Sequence, residues 1–302
     1  MSYLVSQLVE ETRQALQGTY RAAYNQSVNL GTTGTTSVTL TLDHPGADAG
    51  TVLSIGSELL YVVLTVGNVC EVVRGFGGTT PAAWAAGALI EVDPRYPPSR
   101  ISAALRDEIR SWPASVFRAE QLTVPIAATQ RVVALSRSDI LRVLECRRDP
   151  ATSLGSSSYA VATTTSRDTY PRVDGTLMRT GPAQFAGWGL ELTSNVPAGS
   201  LYVLAAVPFD TSVWANSIDL EDFVGLPQWM FDIPKWGAMG RLLSEDESLR
   251  VDMTSQPQPR RATEVQNGET LQAGQYFTRR RDARLREAAD MFRQLYPPTG
   301  WS

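Results

Sequence analysis

Along this chain the spacing of apolar residues alternates between the period of a helix and the period of a strand, and no other feature limits the fold so strongly. Leu4, Val5, Leu8, Val9 and Leu16 share one helical face, while Glu10, Glu11 and Arg13 lie away from it and Gly18 is the expected stop. After the polar, turn-rich stretch NQSVNLGTTGTT the period falls to two. Val38, Leu40 and Leu42 alternate with Thr39 and Thr41, as in a half-buried strand. Further strand candidates follow, TVLSI, ELLYVVLTV, VCEVVRG and ALIEV, separated by Gly56, the Gly67-Asn68 pair and the loop from Gly75 to Gly87. Short strands with such turns form a small meander or barrel.

YPPSRISAALRDEIRSWP restores the helical period. Ser99 reads as its N-cap, Ile101, Leu105, Ile109 and Trp112 as its apolar stripe, and Pro113 as its end. Arg106, Asp107, Glu108 and Arg110 are expected on the outer face as a solvated or subunit-facing charge pattern, with a catalytic carboxylate pair as the alternative. From about Ala114 to Val213 the chain reads as β again, through LTVPI, RVVALS, DILRVLECR, GLELTS and SLYVLAAVPF, which suits a β-sandwich. Trp188 and Tyr202 in this stretch fit either core aromatics or a sugar-binding face.

The remainder is largely helical. Asp219 offers a cap, and a helix from about Ile233 to Glu247 carries Ile233, Trp236, Met239, Leu242 and Leu243. A final helix from about Leu271 to Tyr296 has Phe277, Leu285, Ala288, Phe292 and Leu295 along its stripe. At about 1.5 Å per residue it is roughly 35–40 Å long. The expected class is α+β: a discontinuous helical bundle with two inserted β units. Residues 1–35 supply the first bundle helix, 36–96 a small β meander or barrel, and 97–113 a second bundle helix. Residues 114–213 form a β-sandwich, and 214–302 the C-terminal bundle helices and tail.

Composition fits a packed core: of 302 residues, 43% are hydrophobic and 19% charged. A net charge of −4 argues against a general nucleic-acid binder, which is basic overall. Cys70 and Cys146 lie in separate β-like segments, as free, partly buried thiols in preference to a bridge. The single histidine, His44, sits in the turn-like LDHPGADAG. Nucleophile elbows, paired metal-binding histidines and Rossmann fingerprints are missing, so neither metal nor cofactor is expected. Gly75, Gly77 and Gly78 are turn glycines, because no Lys-Ser/Thr and no helix follow them. A two-carboxylate hydrolase rests only on the supply of 31 acidic residues. The N-terminus lacks a basic n-region and an apolar h-region, and no apolar run approaches the 18–20 or so residues that cross a bilayer. The expectation is a non-membrane protein made in the cytoplasm.

One charge feature stands out. Arg279, Arg280, Arg281, Arg284 and Arg286 crowd the last helix, with Arg260 and Arg261 upstream. They fit a solvated face balanced by SEDES at 244–248, an interface stripe that meets acidic surface on a neighbouring subunit or partner, or a contact with DNA phosphates. Arginine suits multi-pronged pairing at interfaces better than lysine does.

ELLYVVLTVGNVCEVVRGFGGTTPAAWAAGALIEV resembles a module found in structural proteins of tailed bacteriophages, with Trp84 where that module often has a histidine. YPPSRISAALRDEIRSWP, FVGLPQWMFDIPKWGAMGRLL and RRRDARLREAADMFRQLYP resemble, in that order, helices of the phage head-to-tail adaptor (connector) family. The resemblance implies a non-enzymatic virion protein of the neck, assembled in the host cytoplasm as a ring, usually a dodecamer. Such a ring docks beneath the portal protein, extends the channel for double-stranded DNA without reading its sequence, and receives a stopper or tail-terminator protein. It also implies that the segment after the last helix, with Tyr296, Pro297, Pro298 and Trp301, reaches toward the portal, and that the arginine stripe lies in a subunit contact. Another neck, collar or tail-completion protein, a carbohydrate-binding tail appendage and a cell-wall enzyme are the alternatives.

Overall fold

Val5, Leu8 and Val9 recur at helical spacing and are buried, which fixes the inward face of α1 (Val5–Arg21). The helix runs through Gly18, since one internal glycine costs only about 1 kcal/mol relative to alanine. Arg13 is turned inward to pair with Glu10 and with Glu91. The computed structural model describes residues 3–21, 26–128, 130–148, 175–179, 188–193, 198–254 and 269–297. The chain is mixed α+β with antiparallel sheets, and it divides into two units. The first comprises Met1–Ile109 and Thr211–Asp282, the second Arg110–Asp210 and Ala283–Ser302.

In the first unit a six-stranded sheet follows α1. Its strands are β1 (Gln26–Val28), β2 (Thr39–Thr41), β3 (Val52–Ile55), β4 (Glu58–Val66), β5 (Val69–Val73) and β6 (Leu89–Val92), in the order β1-β6-β3-β4-β5-β2. β3, β4 and β5 form the expected meander, and β6 returns to pair with β3. β1 is a strand that the polar composition of NQSVNLGTTGTT conceals. The sheet curls until its edges touch at one bridge, Asn29 with Leu42. Asp43 clasps this seam by accepting from the Ser27 hydroxyl (2.6 Å) and the Val28 N–H (2.9 Å), and those bonds, Ser27 first, hold its carboxyl down at about 2. Leu40, Leu42, Leu53, Leu60, Val62, Cys70 and Ile90 fill the concave side. Val38, expected on that side, is exposed.

The loop of this unit is organised by a buried carboxylate. Glu58, at the start of β4, has no solvent exposure and receives Arg74 through Nε at 2.7 Å and Nη2 at 2.8 Å. Trp84 Nε1 (2.8 Å), the Ala82 N–H (3.0 Å) and the Gly75 N–H (3.3 Å) complete its shell. Arg74 also donates to the carbonyls of Gly34, Ser37 and Ala82, so one guanidinium ties the loop to the residues before β2. Gly75 has φ of 65°, and a Cβ there would stand 2.7 Å from the Thr79 carbonyl oxygen, so the turn admits glycine alone.

The helices of this unit are α1, α2 (Pro98–Arg110), α3 (Asp232–Thr254) and the first part of α4 (Glu269–Leu295). α2 starts two residues earlier than an N-cap at Ser99 implies: the Arg100 and Ile101 N–H groups bond the Pro97 carbonyl, which places Ser99 inside the helix. Asp219 caps a π-helical turn, Leu220–Val224, by accepting from the N–H groups of Glu221 and Asp222. In the second unit, β7 (Arg118–Ile126), β12 (Gly199–Val207) and β9 (Arg142–Arg148) form one three-stranded sheet. β10 (Gly175–Arg179), β11 (Trp188–Leu192) and β8 (Val132–Ala134) form another, and β10 was not expected from the sequence. Alternate residues of β7, Leu122, Val124 and Ile126, share a core with Val133, Leu190, Leu192, Leu201 and Val203, so the two sheets enclose one apolar layer.

Candidate interaction surface

Small residues let three helices of the first unit approach closely. On α3, Gly240 and Ser244 are four apart; on α4, Gly274 and Thr278 repeat that spacing. A Cβ at Gly240 would lie 2.6 Å from Thr278 Oγ1 and 3.1 Å from the Gly274 carbonyl oxygen. One at Gly274 would lie 2.9 Å from Ser244 Oγ. This is the small-xxx-small arrangement that brings helix backbones together. Ser244 and Thr278 satisfy their hydroxyls by donating to the Gly240 and Gly274 carbonyls, at 2.8 and 3.0 Å.

Gly237, one turn earlier, makes room for Glu108 of α2: a Cβ there would sit 2.2 Å from the Glu108 carboxyl carbon. Glu108 is therefore not on an outer face. It is 1% exposed and accepts from Arg281 of α4 through Nε (2.6 Å) and Nη2 (3.1 Å), with Arg241 Nη2 3.9 Å away. The bond to Glu108 outweighs burial and raises the Arg281 pKa above the ordinary arginine range, and Asp282 adds a contact at 2.6 Å. A cleft of about 130 Å³ lies among Arg241, Ser244, Thr278 and Arg281. It is smaller than the few hundred Å³ usual for a small-molecule site, and its main charges already neutralise each other.

The arginine stripe is thus divided. Arg281 is engaged internally. Arg280 lies over the Trp236 ring, 4.1 Å from its centroid, and reaches the Tyr276 hydroxyl at 3.3 Å. Arg284 pairs with Glu287 at 2.5 Å. Arg279 and Arg286 are exposed. Of the acidic run near 245–247, Glu245 is described, and it pairs with Arg100 at 3.0 Å. Arg260, Arg261, Pro298 and Trp301 lie outside the described residues. In the second unit Tyr296 turns its ring onto buried Phe117, 5.8 Å between centroids, so the expected reaching segment is held at its root, and Pro297 is exposed.

Cys70 and Cys146 are buried and not joined in a disulfide, and burial pushes the Cys70 pKa up. His44 is exposed beside Asp43. Among the described residues no group of His, Cys, Asp and Glu could hold a metal ion, and no helix is long and apolar enough to cross a membrane. Trp188 packs against the sandwich core and donates to the Ser138 carbonyl at 3.1 Å, which fits the core reading rather than an open sugar platform.

Residues that the sequence did not single out carry most of this geometry. Glu58 and Arg74 lay within a quoted motif without a role, and the four-residue spacing of Gly240/Ser244 and Gly274/Thr278 was the overlooked signal for helix contact. Leu64, Val66, Val69 and Val73 also leave an aliphatic strip exposed on the β4–β5 hairpin, with Val66 at 70% exposure. No family model matches the chain, and no curated protein matches it.

Proposed function

We propose that this chain is a head-to-tail adaptor subunit of a tailed bacteriophage, whose four helices act as one bundle repeated around a ring beneath the portal. In this reading it is a structural part with no reaction of its own. The ring, a dodecamer by resemblance, passes double-stranded DNA through its lumen and seats a stopper or tail-terminator protein. The observation that carries the reading is the joining of α2, α3 and α4 by the Glu108–Arg281 pair and the Gly240–Gly274 contact. α2 comes from a stretch far in sequence from α3 and α4, and the three follow the order of the adaptor helices that they resemble. A ring needs heterologous faces rather than a pocket, and exposed Arg279 and Arg286 together with the aliphatic strip supply such surface.

The mass of the purified protein, alone and mixed with portal protein, tests this. The expected result is a closed oligomer, or one that forms on the portal, and its weakening in an Arg279→Glu, Arg286→Glu double variant. A monomer that ignores the portal rejects the reading.

A further inference from the structure

β1 differs from the other strands of its sheet in what holds it. The apolar core of the sheet draws on β2 to β6, through Leu40, Leu53, Leu60, Cys70 and Ile90, and takes nothing from β1. The buried side chains of β1 and its continuation, Ser27 and Asn29, are polar, and Leu30 is 54% exposed. Hydrogen bonds therefore retain residues 26–30. On one side β1 pairs with β6, and the contact runs on through the Asn29 N–H to the Ala88 carbonyl (2.9 Å) and the Gly87 N–H to the Asn29 carbonyl (2.7 Å). On the other side the seam is made by the Leu30 N–H on the Thr41 carbonyl (2.8 Å), the Asp43 N–H on the Val28 carbonyl (3.0 Å) and the Asp43 clasp. Beyond the seam Thr33 and Trp84 exchange both backbone bonds at 2.9 Å, and Glu58 fixes Trp84, so the segment is anchored at its C-terminal end.

In water the net return from one hydrogen bond is about as large as the backbone entropy lost in fixing one residue, so a strand without apolar burial is held near balance. On release its polar groups find water, whereas withdrawing any other strand of this sheet would also pull core side chains into solvent. We propose that β1 is a releasable strap: residues 26–30 leave β6 and the seam together, with Thr33 as the fixed end, while β2 to β6 stay folded, and Asp43 is the latch. Asp43 suits that part because its carboxylate accepts from both the Ser27 hydroxyl and the Val28 N–H, and bonds to a charged acceptor are the stronger kind. Opening leaves a five-stranded sheet with free β6 and β2 edges, and closing covers both, which guards them against stray pairing. The device belongs to the first unit and does not depend on the ring reading.

Native-state hydrogen exchange of the full chain, read amide by amide, tests this. Asn29 and Leu42 face each other across the seam, yet the Leu42 N–H bonds the Asn68 carbonyl within the retained sheet (2.8 Å), as the Val62 N–H bonds that of Thr51 (2.9 Å). After correction for intrinsic rates, the Asn29 and Leu30 amides are expected to exchange at least about tenfold faster than those of Leu42 and Val62. Asp43→Asn is expected to speed Asn29 and Leu30 by a further factor of about 5–30 and to leave Val62 unchanged. Equal exchange of all four amides in the wild-type protein overturns the strap, because β1 would then open only with the whole sheet; that comparison needs no variant to fold. No acceleration in Asp43→Asn, or an equal one at all four amides, overturns the latch.

Discussion

Two buried carboxylates of the first unit, Glu58 and Glu108, are each held by an arginine, and they do different work. Glu58 and Arg74 are 16 residues apart, and the other partners of Glu58, Gly75, Ala82 and Trp84, lie in the same short loop. Glu108 and Arg281 are 173 residues apart, and the glycine that admits Glu108, Gly237, belongs to a third segment. The first pair shapes a local module; the second joins helices that the chain separates. They differ in solvation as well. Arg74 is 8% exposed and Arg281 23%, so an orphaned Arg281 can turn to water where an orphaned Arg74 cannot.

That contrast orders the expected losses. Glu58→Ala leaves the buried charge of Arg74 without its carboxylate, and the Gly75 and Ala82 N–H groups and Trp84 Nε1 without their acceptor, and costs about 3–5 kcal/mol, read from denaturant midpoints. Its pH dependence has a definite sign. Burial opposes ionisation of Glu58 more than any single neighbour favours it, yet the bonds from Arg74, Trp84 and the Ala82 N–H together hold its pKa below the usual value. Its contribution is therefore full above the unfolded glutamate pKa of about 4.3 and is lost as pH falls through the lower folded value. Glu58→Gln flattens that part of the acid profile; an unchanged profile would mean that the shell does not form.

Glu108→Ala is expected to cost less, about 1.5–3 kcal/mol. A double-mutant cycle with Arg281→Ala should return a coupling of about 0.5–3 kcal/mol, and additivity would break the claim that this pair joins α2 to α4. Gly240→Ala tests the same junction by a reversal of sign. In an exposed helix the change stabilises by roughly 1 kcal/mol, but here the new methyl meets Thr278 and Gly274 and costs about 1–3 kcal/mol. The smallest effect, about 0.5–1 kcal/mol, is expected for Arg280→Ala, which removes the guanidinium from Trp236.

The same contrast explains what the sequence disclosed. Alternation in β4 and β5 and the turn glycines were legible, because a strand's period and a turn's backbone are local properties. α3 and α4 were legible from their stripes; α4 runs close to its expected span, whereas α3 continues past the expected Glu247 to Thr254. β1 and β10 were not, since a three-residue stretch such as QSV or five mixed residues become strands only when a neighbour offers a free edge. Glu108 was assigned outward because its own helix is charged around it, and its burial depends on Gly237, more than a hundred residues away. The arginine stripe was visible as composition, but its division into engaged Arg280 and Arg281 and exposed Arg279 and Arg286 is a tertiary fact.

Image averaging of the particle neck, with this chain carrying an N-terminal tag, tests the central claim most directly. The account predicts a ring of copies seated against the portal, with α1 to α4 of adjacent copies side by side around the channel. Tagged density at a tail tip or fibre, or no copy in the particle at all, would contradict it.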